Sequence, residues 1–149
     1  MNVLTMDSPL GPLSIAANEC GQLVQIRFGP LRSQGNAAIL KTAAKQIDAY
    51  FSGRRQKFDL PLHLEVTPFQ KQVYEVLASV PFGNIVTYRD LARLSGSPRA
   101  ARAIGGCMGA NPLPIVIPCH RVLAVNGIGG YTPGVEKKIW LLQHEGFMR

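Results

Sequence analysis

Three prolines within seven residues, Pro112, Pro114 and Pro118, frame the apolar run ending at Ile117 and come just before Cys119-His120. A proline gives no amide to a sheet ladder and fixes φ at about −65°, so this run cannot continue through the middle of a sheet. "PIVIP" is therefore expected to be a strand that stops at Pro118. On a regular strand adjacent side chains point to opposite faces, which would keep Cys119 and His120 apart. A turn at Pro118 lets the chain bring thiol and imidazole within reach of one water.

The elements before this run follow a recognisable order. "TPFQKQVYEVLASV" opens with Thr67 as cap, Pro68 at the first helical position and Gln70 at the reciprocal capping position. Its apolar stripe is Phe69, Val73, Leu77 and Val80. A second helix is expected from Thr87, with Asp90 three residues on, to a stop near Gly96. Ser97 and Pro98 start a third, "PRAARAIGGCMGA", which ends before Asn111. Two short helices joined through Ser95-Gly96-Ser97 outline a helix-turn-helix. An Asn126-Gly127 turn resembling a wing and a last helix over about 134–145 follow.

The first third reads as a small α/β lobe. "LSIAAN" (13–18) and "LVQIRF" (23–28) alternate apolar residues around a short turn, a hairpin signal. Apolar side chains at Leu40, Ala43, Ala44, Ile47, Tyr50 and Phe51 have helical spacing, with Gly53 where a stop belongs. Arg54, Arg55 and Lys57 form a basic turn. "FDLPLHLE" is a connector or edge strand because of Pro61, and His63 is incidental. The expected organisation is α+β: residues 1–65 an N-terminal α/β lobe, residues 66–149 a C-terminal winged-helix domain.

On the third helix, Ala100, Ile104, Cys107 and Met108 fall on one side, the expected core face. Arg99, Arg102, Ala103, Gly106 and Ala110 fall towards the other. Reading base edges in the major groove takes long polar side chains, and this helix offers small ones and two arginines. Each internal glycine costs about 1 kcal/mol against alanine. Either close packing within the protein or a close approach to a DNA groove accounts for them. The net charge of +7 fits solubility or a polyanionic partner.

Cys20, Cys107 and Cys119 are an odd number without a C-x-x-C pair, so neither a disulfide framework nor a zinc site is indicated. No metal or other cofactor is expected. Without a basic-then-apolar leader or a long apolar span, the chain reads as cytosolic and complete as given, with no membrane partner. Cys20 and Cys107 are taken as small buried hydrophobes. Cys119 differs, because His120 and Arg121 follow at once. A thiolate is the nucleophile, and histidine or cationic neighbours lower a thiol's pKa. Histidine needs a third group on its other nitrogen. Glu145 in "LLQHEGF" is the candidate, although a solvated carboxylate remains the plain alternative.

Taken together, "NPLPIVIPCHRVL", preceded by "TYRDLA" and "RAARAIGGCMGAN" and followed by "GIGGYTPG" and "LLQHEG", resembles the methylated-DNA–protein-cysteine methyltransferases. These are the O6-alkylguanine-DNA alkyltransferases of direct DNA repair. The match runs in order and spacing from about Thr67 to Phe147. The N-terminal lobe is similar only in size and strand-helix layout, and would be RNase H-like. The resemblance implies a DNA-binding monomer acting on double-stranded DNA that contains O6-alkylguanine. Cys119 would accept the alkyl group once and irreversibly. His120 would take the thiol proton through a water, with Glu145 orienting the imidazole. Asn111 would be a hinge between recognition helix and acceptor segment, and Tyr88 would protonate guanine N3 and crowd the target phosphate. Arg102 would fill the stack after the nucleotide flips out, with Arg99, Ala103 and Gly106 on the DNA-binding face. Met108, Val122, Tyr131 and Thr132 would line the base pocket.

Thr132-Pro133-Gly134 stands where the family usually has a small residue and then glycines, and Cys107 where it has alanine. Three other functions share parts of this pattern. An alkyltransferase-like damage binder would lack the cysteine. A helix-turn-helix regulator would need base-reading side chains. A Cys-His hydrolase would turn over repeatedly.

Overall fold

The computed structural model describes all residues from Met1 to Arg149, and the chain divides into two compact units, Met1–Glu65 and Val66–Arg149. The first holds β1 (Asn2–Met6), β2 (Leu13–Ala17), β3 (Leu23–Phe28) and α1 (Ala38–Phe51). The three strands form one antiparallel sheet in the order β1-β2-β3, with Ile15 opposite both Leu4 and Ile26. The hairpin of β2 and β3 and the helix lie where the apolar spacing put them. β1 was not anticipated; five residues with only Val3 buried give too short a pattern to detect.

α1 turns Leu40, Ala43, Ile47 and Tyr50 inward, one side chain per turn. Burying each of the three large ones contributes roughly 1.5–3 kcal/mol. The connector "FDLPLHLE" pairs only at Leu62, whose neighbours Pro61 and His63 exchange backbone bonds of 2.8 and 2.9 Å with Leu23. Cys20 is exposed in the turn before β3, not buried as expected. A five-residue connection between paired strands has no interior to hide it.

The second unit contains α2 (Pro68–Ala78), β4 (Val86–Thr87), α3 (Tyr88–Leu94), α4 (Ala101–Gly109), a 3-10 turn at Cys119–Arg121, β5 (Val122–Leu123) and α5 (Val135–His144). The Thr67–Gln70 capping box at the start of α2 is complete, with both reciprocal bonds formed. Val73, Tyr74 and Leu77 are the buried residues of α2; Phe69 and Val80 of the expected stripe are only half-buried. Thr87 caps α3 through the Asp90 amide. β4 and β5 pair in parallel, and a bridge between Ala124 and Gly127 closes the Asn126-Gly127 turn.

Two elements differ from the sequence reading. α4 begins at Ala101 rather than at Ser97–Pro98, because Ser97 to Ala100 closes a separate turn (Ala100 N to Ser97 O, 2.9 Å). Arg99 therefore precedes the helix instead of lying on it. "PIVIP" is no strand either. Ile117 N bonds Leu113 O at 2.8 Å across a tight turn, and Ile115 at its apex has φ 75°. Prolines at 112, 114 and 118 leave too few free amides for a ladder, so the run folds back on itself. No helix is long and apolar enough to cross a membrane.

Candidate active site

Some polar groups of the candidate site are placed by residues close to them in sequence, others by residues 24 to 41 positions away. Asn111, just past α4, is fixed first: its Oδ1 accepts from the Leu113 amide (2.9 Å) and its Nδ2 donates to Ile117 O (2.8 Å). The same side chain acts to lower the Cys119 pKa. A β-branched residue in the left-handed region, as at Ile115, costs of order 1–3 kcal/mol. Full burial of that side chain and the Asn111 bracket hold the turn in place. Its result is to deliver Cys119 onto the short 3-10 turn, where Cys119 N bonds Ile117 O at 2.8 Å.

His120, Arg121 and Glu145 form one buried network. His120 Nε2 lies 2.7 Å from Glu145 Oε2, and the Arg121 guanidinium donates to the same carboxylate from Nε (2.8 Å) and Nη2 (2.9 Å). Arg121 Nη1 also donates to Val80 O at 2.7 Å, just beyond α2. The fork of Arg121 identifies Glu145 as an acceptor-only carboxylate, so Nε2 carries the imidazole proton. Nδ1 is then the bare nitrogen, and it makes no hydrogen bond within the protein. Glu145 caps the end of α5, where a carboxylate opposes the helix dipole. Two charge-assisted partners outweigh that cost.

Burial decides the titration of this site. The Cys119 thiol is pushed up to about 11, chiefly by desolvation, against smaller lowering by Asn111, its own amide, Lys138 and Tyr131. This overturns the expectation of a lowered thiol pKa: a nearly unexposed sulfur loses more to desolvation than its neighbours return. Cys119 therefore rests as a neutral thiol. His120 is held below its ordinary value, first by burial, so it rests neutral despite Glu145. Tyr88 and Tyr131 are both shifted upward, by burial first and by Cys119 next.

The remaining candidates fall into two groups. Val122 is fully buried behind the 3-10 turn, Met108 is half-buried, and Thr132 is exposed beside Gly109 of α4. Arg102, Ala103, Gly106 and Ala110 are exposed on α4, while Ile104 and Cys107 face the core. Three groups in the site escaped sequence reasoning. Arg121 was seen only as a neighbour of His120, Lys138 sits fully buried in α5, and the Tyr74 hydroxyl donates to Cys107 O at 2.6 Å. The signal for Lys138 was its place on the apolar stripe with Leu141 and Leu142. No group of three or more His, Cys, Asp or Glu is placed to hold a metal ion.

Many known proteins are similar to this chain over most of its length. The family model described as 6-O-methylguanine DNA methyltransferase, DNA binding domain, matches residues 68–147, and its ribonuclease-like domain matches residues 2–64. A methylated-DNA–protein-cysteine methyltransferase of Methanosarcina barkeri is 41% identical over 149 residues, covering 94% of each chain. One from Shigella flexneri is 37% identical over 159 residues, covering 95% of this chain and 93% of its own. The crystal structure of Mycobacterium tuberculosis OGT in complex with DNA superposes with a TM-score of 0.88 at 35% identity. That superposition covers 97% of this chain and 92% of the other.

Proposed function

The chain belongs to the 6-O-methylguanine DNA methyltransferase family, and from that premise we propose how its own residues carry out direct repair of DNA. The protein removes an alkyl group from guanine O6 and keeps it on Cys119, in one turnover. The observation that carries this reading is a buried thiol followed at once, on the 3-10 turn, by an imidazole whose Nε2 is tied to a carboxylate.

A thiol at about 11 reacts only if a base takes its proton as the new bond forms. His120 is neutral and its Nδ1 is bare, so Nδ1 takes that proton through a water. The imidazolium that results is stabilised by Glu145. Sγ then bonds the alkyl carbon, and the bond from carbon to O6 breaks. Tyr88 gives the departing guanine a proton at N3 and is repaid by His120, so the site ends with a neutral thioether and no net change of charge. Because no group removes the alkyl from sulfur, the protein is consumed.

The target oxygen lies inside the duplex, so the nucleotide must flip out. α4 suits that task. A Cβ added at Gly105 or Gly106 would meet nothing within 4 Å, so internal packing does not account for these glycines. A DNA groove pressed against that face does. Arg102 enters the stack behind the flipped nucleotide, Arg99 holds phosphate from the preceding turn, and Ala103 and Gly106 allow the backbone to approach. Met108, Val122, Tyr131 and Thr132 enclose the base. We infer a monomer, cytoplasmic and associated with DNA, which its free cysteines fit.

The test is incubation with duplex DNA carrying O6-methylguanine, followed by intact and peptide mass measurement. The expected result is one methyl on Cys119, stopping at one equivalent. An unmodified protein, or continued turnover beyond one equivalent, refutes the assignment.

A further inference from the structure

Tyr74 lies on the inner face of α2 and is 1% exposed. Its hydroxyl donates to Cys107 O at 2.6 Å, a buried bond that ties α2 to the last turn of α4 across 33 positions of sequence. The helix itself does not satisfy that carbonyl. The amide four residues on, Asn111 N, bonds Met108 O at 3.4 Å instead, and the Ala110 amide bonds Gly106 O. The last four carbonyls of a helix lack an intrahelical amide, and Cys107 is buried, so water does not take the place of one. Packing alone would be met by phenylalanine, which has no hydroxyl to bury.

The acceptor hangs on this turn. Two residues beyond Met108 and Gly109 of α4 comes Asn111, which brackets the Ile115 turn through Leu113 N and Ile117 O and so delivers Cys119. Burial first, then Cys107 and Cys119, push the Tyr74 pKa up to about 12. The phenol therefore stays protonated wherever the site works, and its one proton stays on Cys107 O.

Resting on the alkyl-transfer reading above, we propose that Tyr74 is a positioning residue of that reaction: its hydroxyl fixes where α4 ends and, through Asn111, how Cys119 is seated. Without that bond the buried carbonyl takes the nearest donor, the Asn111 amide, whose bond to Met108 O is long. The helix then runs on by one residue and turns the Asn111 side chain away from Leu113 N and Ile117 O. The lowering of the Cys119 pKa by Asn111 goes with it. The other titratable groups about the sulfur are His120, Lys138, Tyr88 and Tyr131, and Tyr74 bonds none of them. Arg102, Ala103 and Gly106 lie on α4 before this turn, so the face assigned to DNA keeps its place.

The experiment uses the full chain with Tyr74→Phe, Asn111→Ala and the double variant. Single-turnover methyl transfer from duplex O6-methylguanine is measured at saturating DNA, together with the half-saturating concentration. Iodoacetamide labelling of Cys119 is followed by peptide mass between pH 7 and 10.5. Tyr74→Phe should lower the saturated rate about 5- to 150-fold, the range spanned by a buried carbonyl left without its donor. It should leave the half-saturating concentration unchanged and move Cys119 labelling to higher pH. In the Asn111→Ala background the same change should cost less than about twofold, because the bracket it acts through is gone. Losses that add in full overturn the inference. So does a Tyr74→Phe protein that is less stable in urea yet keeps the wild-type rate and labelling profile, or one whose defect is confined to DNA affinity. A measurement on the wild type decides the matter even if Tyr74→Phe fails to fold. With the Tyr74 Cζ carbon isotopically labelled, a hydroxyl proton held by Cys107 O should exchange slowly enough to give two Cζ signals in mixed light and heavy water. One averaged signal overturns the inference. A wild type that accepts no methyl at all instead refutes the alkyl-transfer reading.

Discussion

The two units of this chain hide polar groups in opposite ways. In Met1–Glu65 the one buried polar residue is Ser14, whose hydroxyl donates to Gly29 O (2.8 Å) and accepts from the Leu31 amide (2.9 Å). Thr5 joins it at 3.0 Å and donates to Leu31 O. These are short hydroxyls pinning a loop to a sheet. In Val66–Arg149 the buried groups include His120, Arg121, Lys138 and Glu145. Residues 66–149 also carry nine Lys and Arg against four Asp and Glu, compared with seven against five in residues 1–65. Buried ions cost several kcal/mol each unless compensated, and a fold that needed only a core would not concentrate them. The contrast teaches where the chemistry lies: one unit satisfies its backbone, the other holds charge ready around a single sulfur.

The largest effect should come from the sulfur itself. Cys119→Ser is expected to abolish methyl transfer and still bind damaged duplex, because the α4 face is untouched and an alcohol is a far weaker nucleophile near neutral pH than a thiolate. Gel-shift titration and adduct mass on the same preparation decide it. Methyl transfer retained by this variant would move the acceptor to Cys107, the other buried thiol of the unit.

Next comes stability. Arg121→Met removes both guanidinium bonds to the Glu145 carboxylate and frees Val80 O, which should cost about 3–5 kcal/mol. Ser14→Ala, the nearest counterpart in the other unit, should cost about 1–3 kcal/mol for two bonds of a neutral hydroxyl. Urea unfolding, followed by a probe in each unit, measures both. Equal costs would mean that the buried ions of the second unit are ordinary hydrogen-bonding groups and the contrast is empty.

Much of this contrast was legible in the sequence, and what was not has physical causes. The Thr67–Gln70 box, the β2–β3 hairpin and the helices α1, α2, α3 and α5 follow from caps and spacing, which are local. The pairing of His120 with Glu145 was legible because residue types and a specific motif carried it. The start of α4 was not. Ser97-Pro98 has the form of a helix start, yet the chain closes a turn there first and leaves Arg99 outside. The Ile115 turn was missed because nothing local predicts a β-branched residue at φ 75°; the Asn111 bracket imposes it. The bidentate grip of Arg121 on Glu145 and the Lys138 bonds to the Val122 and Gly130 carbonyls join residues 24, 16 and 8 positions apart. Such pairings depend on tertiary closure, which periodicity does not encode.

A smaller effect tests the exposed face of α4. If Arg102 replaces the flipped nucleotide in the stack, Arg102→Ala should slow repair of duplex O6-methylguanine by about one to three powers of ten. Transfer from free O6-benzylguanine, which leaves no stack to fill, should be nearly unchanged. Arg102→Lys should rescue part of the duplex rate only, since an ammonium lacks the planar face. Arg99→Ala should instead weaken binding to every duplex, damaged or not, as loss of a phosphate contact does. Equal slowing of both reactions by Arg102→Ala would assign that side chain to the fold.

The smallest effect has opposite signs in its two readouts, which makes it the sharpest. Gly106 is exposed inside α4, and an added Cβ would meet nothing within 4 Å. Gly106→Ala should therefore stabilise the helix by about 1 kcal/mol, a rise of roughly 3 °C in Tm for a chain of this size. Affinity for undamaged duplex should fall at the same time, because the new methyl stands between the helix backbone and the groove. Ala110→Gly, on the same exposed face at the C-cap of α4, serves as a comparison that adds no bulk and should not weaken binding through a clash. Thermal melting and titration at one fixed salt concentration are both needed, since phosphate contacts vary steeply with salt. A stabilised protein that keeps its full affinity would show that DNA does not press on this face. The glycines would then be without a function, and the division between a unit built for its own core and a unit built around a partner would rest on the buried charges alone.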